Sequence, residues 1–201
     1  ASMIARTGWE FGPDSRTAVV EMKSGHYNRH DHQHMDAGAF QIFYRAPLAV
    51  DIGVYGHWGQ HYDFTFAKRT IPHNALLVYD PDEKFAVPGN DGGQRFVKTM
   101  PWTIRQVIDH PEIHSTGRLA AHYAGPDADR PLFSHIKGDI AAAYSPHKMK
   151  EYERSFVFCR LDNPETPALL IVYDHVVSAR PEFRKYFLLN TIARPELRED
   201  T

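Results

Sequence analysis

An antiparallel all-β sandwich is the fold class this sequence predicts, on three observations. Short segments rich in β-branched and aromatic residues recur along the chain, turn clusters containing Pro, Gly, Asn or Asp separate them, and no segment carries a long apolar stripe at helical spacing. Strands follow in order over Thr17 to Met22, Ala39 to Tyr44, Leu48 to Val50, Ala75 to Tyr79, Ile136 to Tyr144, Arg154 to Cys159, Leu169 to Val177 and Phe183 to Leu189. In Arg154 to Cys159 the alternation sets Phe156 and Phe158 on one face and Val157 and Cys159 on the other, so both faces are expected to be at least partly covered. The helical candidates are two short turns, near Trp102 to Ile108 and Ile113 to Ala121. The stretch Asp80 to Pro101 reads as a loop at a binding rim, because Asp80-Pro81-Asp82 and Pro88-Gly89-Asn90-Asp91-Gly92-Gly93 supply turn chemistry. That glycine run is not a phosphate cradle, since no Lys-Ser/Thr and no strand-to-helix context follows it.

With 201 residues, 42% of them apolar, the chain can build one core, and a single domain over 1–201 is expected. A formal charge of −2, from 23 basic and 25 acidic residues, argues against broad capture of nucleic acid or of a membrane surface. Apolar runs such as Ala168-Leu-Leu-Ile-Val-Tyr173 are too short to cross a bilayer as a helix. Ala1-Ser2-Met3 reads as residues left by cloning ahead of a start methionine. Cys159 is the lone cysteine, so no intrachain disulfide can form; its strand context favours a buried structural thiol.

The most informative stretch is Arg29-His30-Asp31-His32-Gln33-His34-Met35-Asp36, which packs three histidines and two carboxylates into eight residues. Histidine is the side chain best suited to bind a transition metal or move a proton near neutral pH, and carboxylates are its usual partners. In an extended segment His30, His32, His34 and Asp36 share one face with neighbours roughly 6.5 Å apart. That spacing suits one residue on a metal and the next on a substrate. Downstream lie Asp51, at the end of an apolar run, and His73, at the head of the strand Ala75 to Tyr79. Two imidazoles and a carboxylate make a plausible zinc set, with a plain hydrogen-bonded cluster as the alternative.

The run His32-Gln33-His34-Met35-Asp36-Ala37-Gly38-Ala39-Phe40-Gln41-Ile42-Phe43-Tyr44, continuing through Pro47-Leu48-Ala49-Val50-Asp51-Ile52-Gly53, resembles the β-sandwich region of heparinase II/III-like polysaccharide lyases. Further pieces of the resemblance are Lys68-Arg69-Thr70-Ile71-Pro72-His73-Asn74-Ala75, Asn90-Asp91-Gly92-Gly93-Gln94-Arg95, Ser134-His135-Ile136-Lys137-Gly138-Asp139 and Arg154-Ser155-Phe156-Val157-Phe158. It spans most of the chain and is nearest the heparinase II branch. In that family an N-terminal helical toroid packs against the sandwich, and an acidic polysaccharide lies between them. The resemblance implies that this chain is the sandwich portion, incomplete at both ends, and that its partners are the toroid and a glycan such as heparin or heparan sulfate. It also implies a periplasmic or secreted location.

By the same resemblance His34, Asp51 and His73 occupy zinc-ligand positions, and His32 matches a histidine that faces the substrate and takes part in catalysis. The implied reaction is β-elimination at a uronic acid: a base removes the C5 proton, the carboxylate stabilises the carbanion, and an acid helps the C4 oxygen leave. Zinc there is expected to brace the cluster, because elimination needs no activated water. His57 and Trp58, in the aromatic Gly-rich stretch Tyr55 to Tyr62, are candidates for a sugar platform, with ordinary loop packing as the alternative. Arg69 and Arg95 are candidates to fork onto sulfate or carboxylate, with surface solvation as the alternative for both and for Lys68. Exposed apolar surface on a sandwich parted from its toroid would also favour a homo-oligomer.

Overall fold

The computed structural model describes residues 1–10, 12, 14–25, 27–29, 32–54, 56–57, 59–96 and 103–196. Among the described residues ten strands form three antiparallel sheets. The first holds β1 (Ser2–Arg6), β2 (Val19–Lys23), β3 (Phe40–Tyr44) and β4 (Ala46–Ala49) in chain order. A ribbon pairs β5 (Leu76–Tyr79) with β10 (Arg184–Phe187). The third sheet runs β6 (Arg118–Gly125), β7 (Phe133–Asp139), β8 (Met149–Arg160) and β9 (Ala168–Ser178), again in chain order.

The alternation of β8 explains how the layers join. Tyr152, Arg154, Phe156 and Phe158 are all buried, while Glu153, Ser155, Val157 and Cys159 between them face the other way and are only half-buried. Phe156 and Phe158 meet Ala5, Val20, Met22, Phe40 and Ala49 of the first sheet in one apolar cluster. Tyr152 joins Leu76, Val78, Ile140, Tyr144 and Phe183 in a second, under the ribbon. One long strand therefore floors two cores, and Arg154 sits at their seam. Its guanidinium forks onto Asp174 at 2.6 and 2.7 Å and donates to the carbonyls of Gly38 and Asn74. Burial opposes its charge, but the neighbouring Tyr152 and Asp174 outweigh that and hold the guanidinium more firmly protonated than usual.

Several sequence expectations change at their edges. The segment Ile113 to Ala121 is not helical throughout: α2 (Pro111–His114) ends at Ser115 and β6 begins at Arg118. Its Ala-rich sequence has modest strand preference, and the pairing with β7 imposes the conformation. The strand expected over Ile136 to Tyr144 stops at Asp139 and gives way to a 3-10 turn, Ala141–Ala143, where Tyr144 donates its hydroxyl to the Leu76 carbonyl at 2.6 Å. Ser2 and Met3 pair with Lys23 and Met22 in the first sheet. Helix α1 (Ile104–Asp109) opens on a capping box between Thr103 and Gln106; Trp102 lies outside the described residues. Residues 80–96 form neither helix nor strand. Cys159 is half-buried on the outer face of β8 instead of fully buried.

Candidate functional site

The segment from His32 to Asp36 is pinned by its backbone. Met35, buried between His34 and Asp36, donates its N–H to the Lys68 carbonyl at 2.9 Å and accepts from the Thr70 hydroxyl at 2.9 Å. The same Thr70 oxygen accepts the Gln94 N–H at 2.8 Å. Gln94 then closes a two-bond bridge onto Ala37, receiving its N–H at 3.0 Å and donating to its carbonyl at 2.7 Å. Gly38 follows with φ of +80°, and a Cβ there would stand 2.5 Å from Ile140 and 3.5 Å from Arg154. Only glycine fits that turn into β3. Residues from three distant parts of the sequence thus fix the direction in which His34 and Asp36 point.

His73 and Asn74 are equally constrained. Asn74 is fully buried; its amide donates to the carbonyls of Phe40 and Val50, and its oxygen accepts the N–H of Asn190. The imidazole of His73, 1% exposed, stands behind that of His34, with Nε2 3.2 Å from Nδ1 of His34. On its other side Nδ1 lies 2.9 Å from Oδ1 of Asp51, within ion-pair distance but without a well-directed hydrogen bond. Asp51 also accepts from the Gln41 amide at 3.3 Å. Burial, and then the proximity of His73, hold the His34 imidazole below the ordinary histidine range. A deprotonated nitrogen there is what a metal ligand requires.

These groups open on a cleft of about 500 Å³, on the face of the first sheet opposite its core. Its lining includes Lys23, His32, Gln33, His34, Asp36 and Asp51. Lys23 forms an ion pair with the buried carboxylate of Asp36. Burial works against the charge on Lys23, but Asp36, with help from Asp51 and Glu21, prevails and raises its pKa. No family model and no curated protein matches this chain.

Tetrahedral zinc with Zn–N distances of 2.0–2.1 Å sets two nitrogen ligands about 3.3 Å apart. The separation of the His34 and His73 nitrogens fits that edge. Asp51, which the resemblance put among the zinc ligands, stands instead on the far side of His73, where a carboxylate orients a metal-bound imidazole and fixes its tautomer. The spacing of the two imidazole nitrogens is that of a pair of zinc ligands, and Asp51 is placed to orient one of them. Among the described residues no group of three or more His, Cys, Asp or Glu side chains converges as a ready cage.

Other candidates lie elsewhere. Arg69 is 2% exposed, forks onto Asp91 and stacks over Phe85 at 4.1 Å, so its guanidinium braces the 91–94 turn instead of meeting a glycan. Lys68, 1% exposed, pairs with Asp63 at 3.1 Å and is not a solvated surface residue. Arg95 spends its guanidinium on the carbonyls of Ala142, Ile113 and Ser115, a staple across three turns that leaves it unavailable for sulfate. His57 is exposed but outside the cleft lining, and Trp58 lies outside the described residues. Lys23 is the cleft residue that sequence reasoning missed. On β2 it is one polar position in an alternating strand, and nothing local announces a partner 13 residues away.

Proposed function

We propose that this chain is the zinc-bearing β-sandwich portion of a polysaccharide lyase, acting by β-elimination on uronic-acid-containing glycans, with heparin or heparan sulfate first among them. The observation that carries the reading is the convergence of His32, His34 and Asp51 on one cleft, with His73 directly behind. In this reading His34 and His73 hold zinc, Asp51 orients His73, and His32 faces the sugar. Zinc supplies rigidity there, fixing the segment that carries His32. His32 exchanges the proton in the step that breaks the C5–H and C4–O bonds and forms the C4–C5 double bond. Lys23 offers a cation to the uronate carboxylate, competing for it with Asp36. A helical toroid is the partner proposed for the open side of the cleft, and the reading carries a periplasmic or secreted location with it.

A second reading, a noncatalytic glycan-binding sandwich, has one observation in its favour. Arg69 and Arg95 are committed internally, which leaves Lys23 as the one Lys or Arg side chain in the cleft lining among the described residues. The test follows binding of heparin and heparan sulfate to the chain by calorimetry, and elimination, with the chain joined to its toroid partner, by the ultraviolet absorbance of the unsaturated uronate. Absorbance that appears with wild type and not with His32→Ala supports the lyase. Saturable binding without new absorbance replaces it with the binding module, and neither binding nor absorbance overturns both.

A further inference from the structure

A second cleft, of about 760 Å³, opens at the far end of β1 from the histidine cluster. Ala1 and Ser2 line the first cleft and Ile4 to Trp9 line the second, so a single edge strand, roughly 13 Å from Ser2 to Arg6, connects the two. The opposite wall is the β6–β7 connection at Ala128 to Pro131, with Ser134 and Phe158 at the floor and Arg160 at the rim. Among the described residues, Arg6, Arg130 and Arg160 line this cleft with Asp129 as the one carboxylate. Three guanidiniums against one carboxylate is a local excess of positive charge on a chain whose formal charge is −2. Arg130 and Arg160 are exposed, and among the described residues neither enters an ion pair.

The aromatic partner is equally distinctive. Trp9 is 77% exposed, and the guanidinium of Arg6 lies over its ring at 4.4 Å. Leaving an indole in water forgoes the burial that normally places it. The segment that carries it is nevertheless anchored: Thr7 donates its N–H to the Ala18 carbonyl at 3.0 Å, and its hydroxyl accepts the Ala18 N–H at 2.9 Å. Arg160 is anchored at its backbone, donating to the Leu132 carbonyl at 2.8 Å. A held indole face beside exposed guanidiniums suits a ligand that pairs an apolar ring face with anionic substituents.

We propose that this cleft binds a carboxylated or sulfated sugar ring, stacked on Trp9 and forked by Arg130 and Arg160, as a second glycan subsite one strand-length from the histidine cleft. The sugar class rests on the lyase or glycan-binding reading above; the preference for an anion with an apolar face rests on the cleft alone. Its effect is to hold an acidic chain along β1 while another part of that chain lies at His32.

Calorimetry tests this with a tetrasaccharide of alternating uronate and sulfated hexosamine, titrated into wild type, Arg130→Ala, Arg160→Ala and Trp9→Ala. Both arginines are at the surface, so their variants are expected to unfold at the wild-type midpoint. Each arginine variant is expected to bind about tenfold more weakly or worse, the loss of a charge-assisted fork, and Trp9→Ala to weaken binding with them. Wild-type affinity in both arginine variants overturns the proposal. So does equal competition by inorganic sulfate, which marks a plain anion site, or tighter binding of a single-stranded oligonucleotide, which changes the ligand class. The two readings fail separately. Elimination with unaltered affinity in the arginine variants sinks only this subsite, and arginine-dependent binding without elimination sinks only the lyase.

Discussion

Nδ1 of His34 and Nε2 of His73 face each other at 3.2 Å across 39 residues of sequence, and Asp51 backs the second ring. Two nitrogens so placed share either a proton or a metal ion. Elemental analysis separates the two. Under the zinc reading the purified chain carries about one zinc per molecule, His34→Ala and His73→Ala lose it, and His32→Ala keeps it. Loss of metal in His32→Ala would exchange the assigned roles, and a metal-free, folded wild type would leave a hydrogen-bonded pair. Asp51→Asn should weaken zinc by about 10–100-fold without abolishing it, as expected of a group that orients a ligand.

Gln94 holds the cluster from behind. Gln94→Leu removes both bonds to Ala37 and strands its buried N–H and carbonyl, for a cost of about 1–3 kcal/mol in urea unfolding. Thr70→Val is expected to act similarly, because one hydroxyl serves Met35 and Gln94 together, while Thr70→Ser keeps that hydroxyl and stays near wild type. Equal loss in the Ser and Val variants would show that the methyl group's packing matters, and the hydroxyl's bonds do not.

Arg154 is fully buried at the seam of the two cores and serves Asp174, Gly38 and Asn74 at once. Arg154→Met leaves the Asp174 carboxylate without its counter-charge, with an expected loss of about 3–5 kcal/mol by denaturant unfolding. Arg154→Lys should recover only part of this, since an ammonium cannot reproduce the planar fork. Full recovery would reduce the role of Arg154 to charge alone.

Lys148, fully buried, is held by Glu83 and by the carbonyls of Gly92 and Gly93. Burial is the leading cause in both partners, raising the Glu83 pKa above 4.5 and lowering that of Lys148 below 10.5. The protonated form of Glu83 is favoured by folding. Its contribution is therefore complete below pH 4.5 and is lost as pH rises through the elevated folded value. The Lys148 contribution is present above pH 10.5 and is lost as pH falls through its depressed folded value. Unfolding midpoints of wild type and of the double variant Glu83→Gln/Lys148→Met, compared across pH, should show both slopes in the first and neither in the second. Parallel pH profiles would assign the slopes to other groups.

Strands β8 and β9 were legible because strict alternation sends Phe156 and Phe158 to one side and Leu169, Ile171 and Tyr173 to the other side of the sheet. Strand β6 was not, since Arg-Leu-Ala-Ala-His-Tyr-Ala-Gly has no local preference strong enough to announce what β7 imposes. The basic residues misled for a related reason. Lys68, Arg69 and Arg95 look solvated in a local reading, yet Asp63, Asp91 and three backbone carbonyls meet them inside the fold.

The sequence by itself determined the antiparallel β architecture and the composition of the histidine cluster, because both depend on residue type and on spacings within a few positions. Only the tertiary structure decided that His34 and His73 meet nitrogen to nitrogen, that Asp51 stands behind the pair and that Lys23 enters the cleft against Asp36. Those relationships depend on where Thr70, Asn74 and Gln94 hold separate segments. Such directions come from buried hydrogen bonds across long sequence separations, which no local pattern contains.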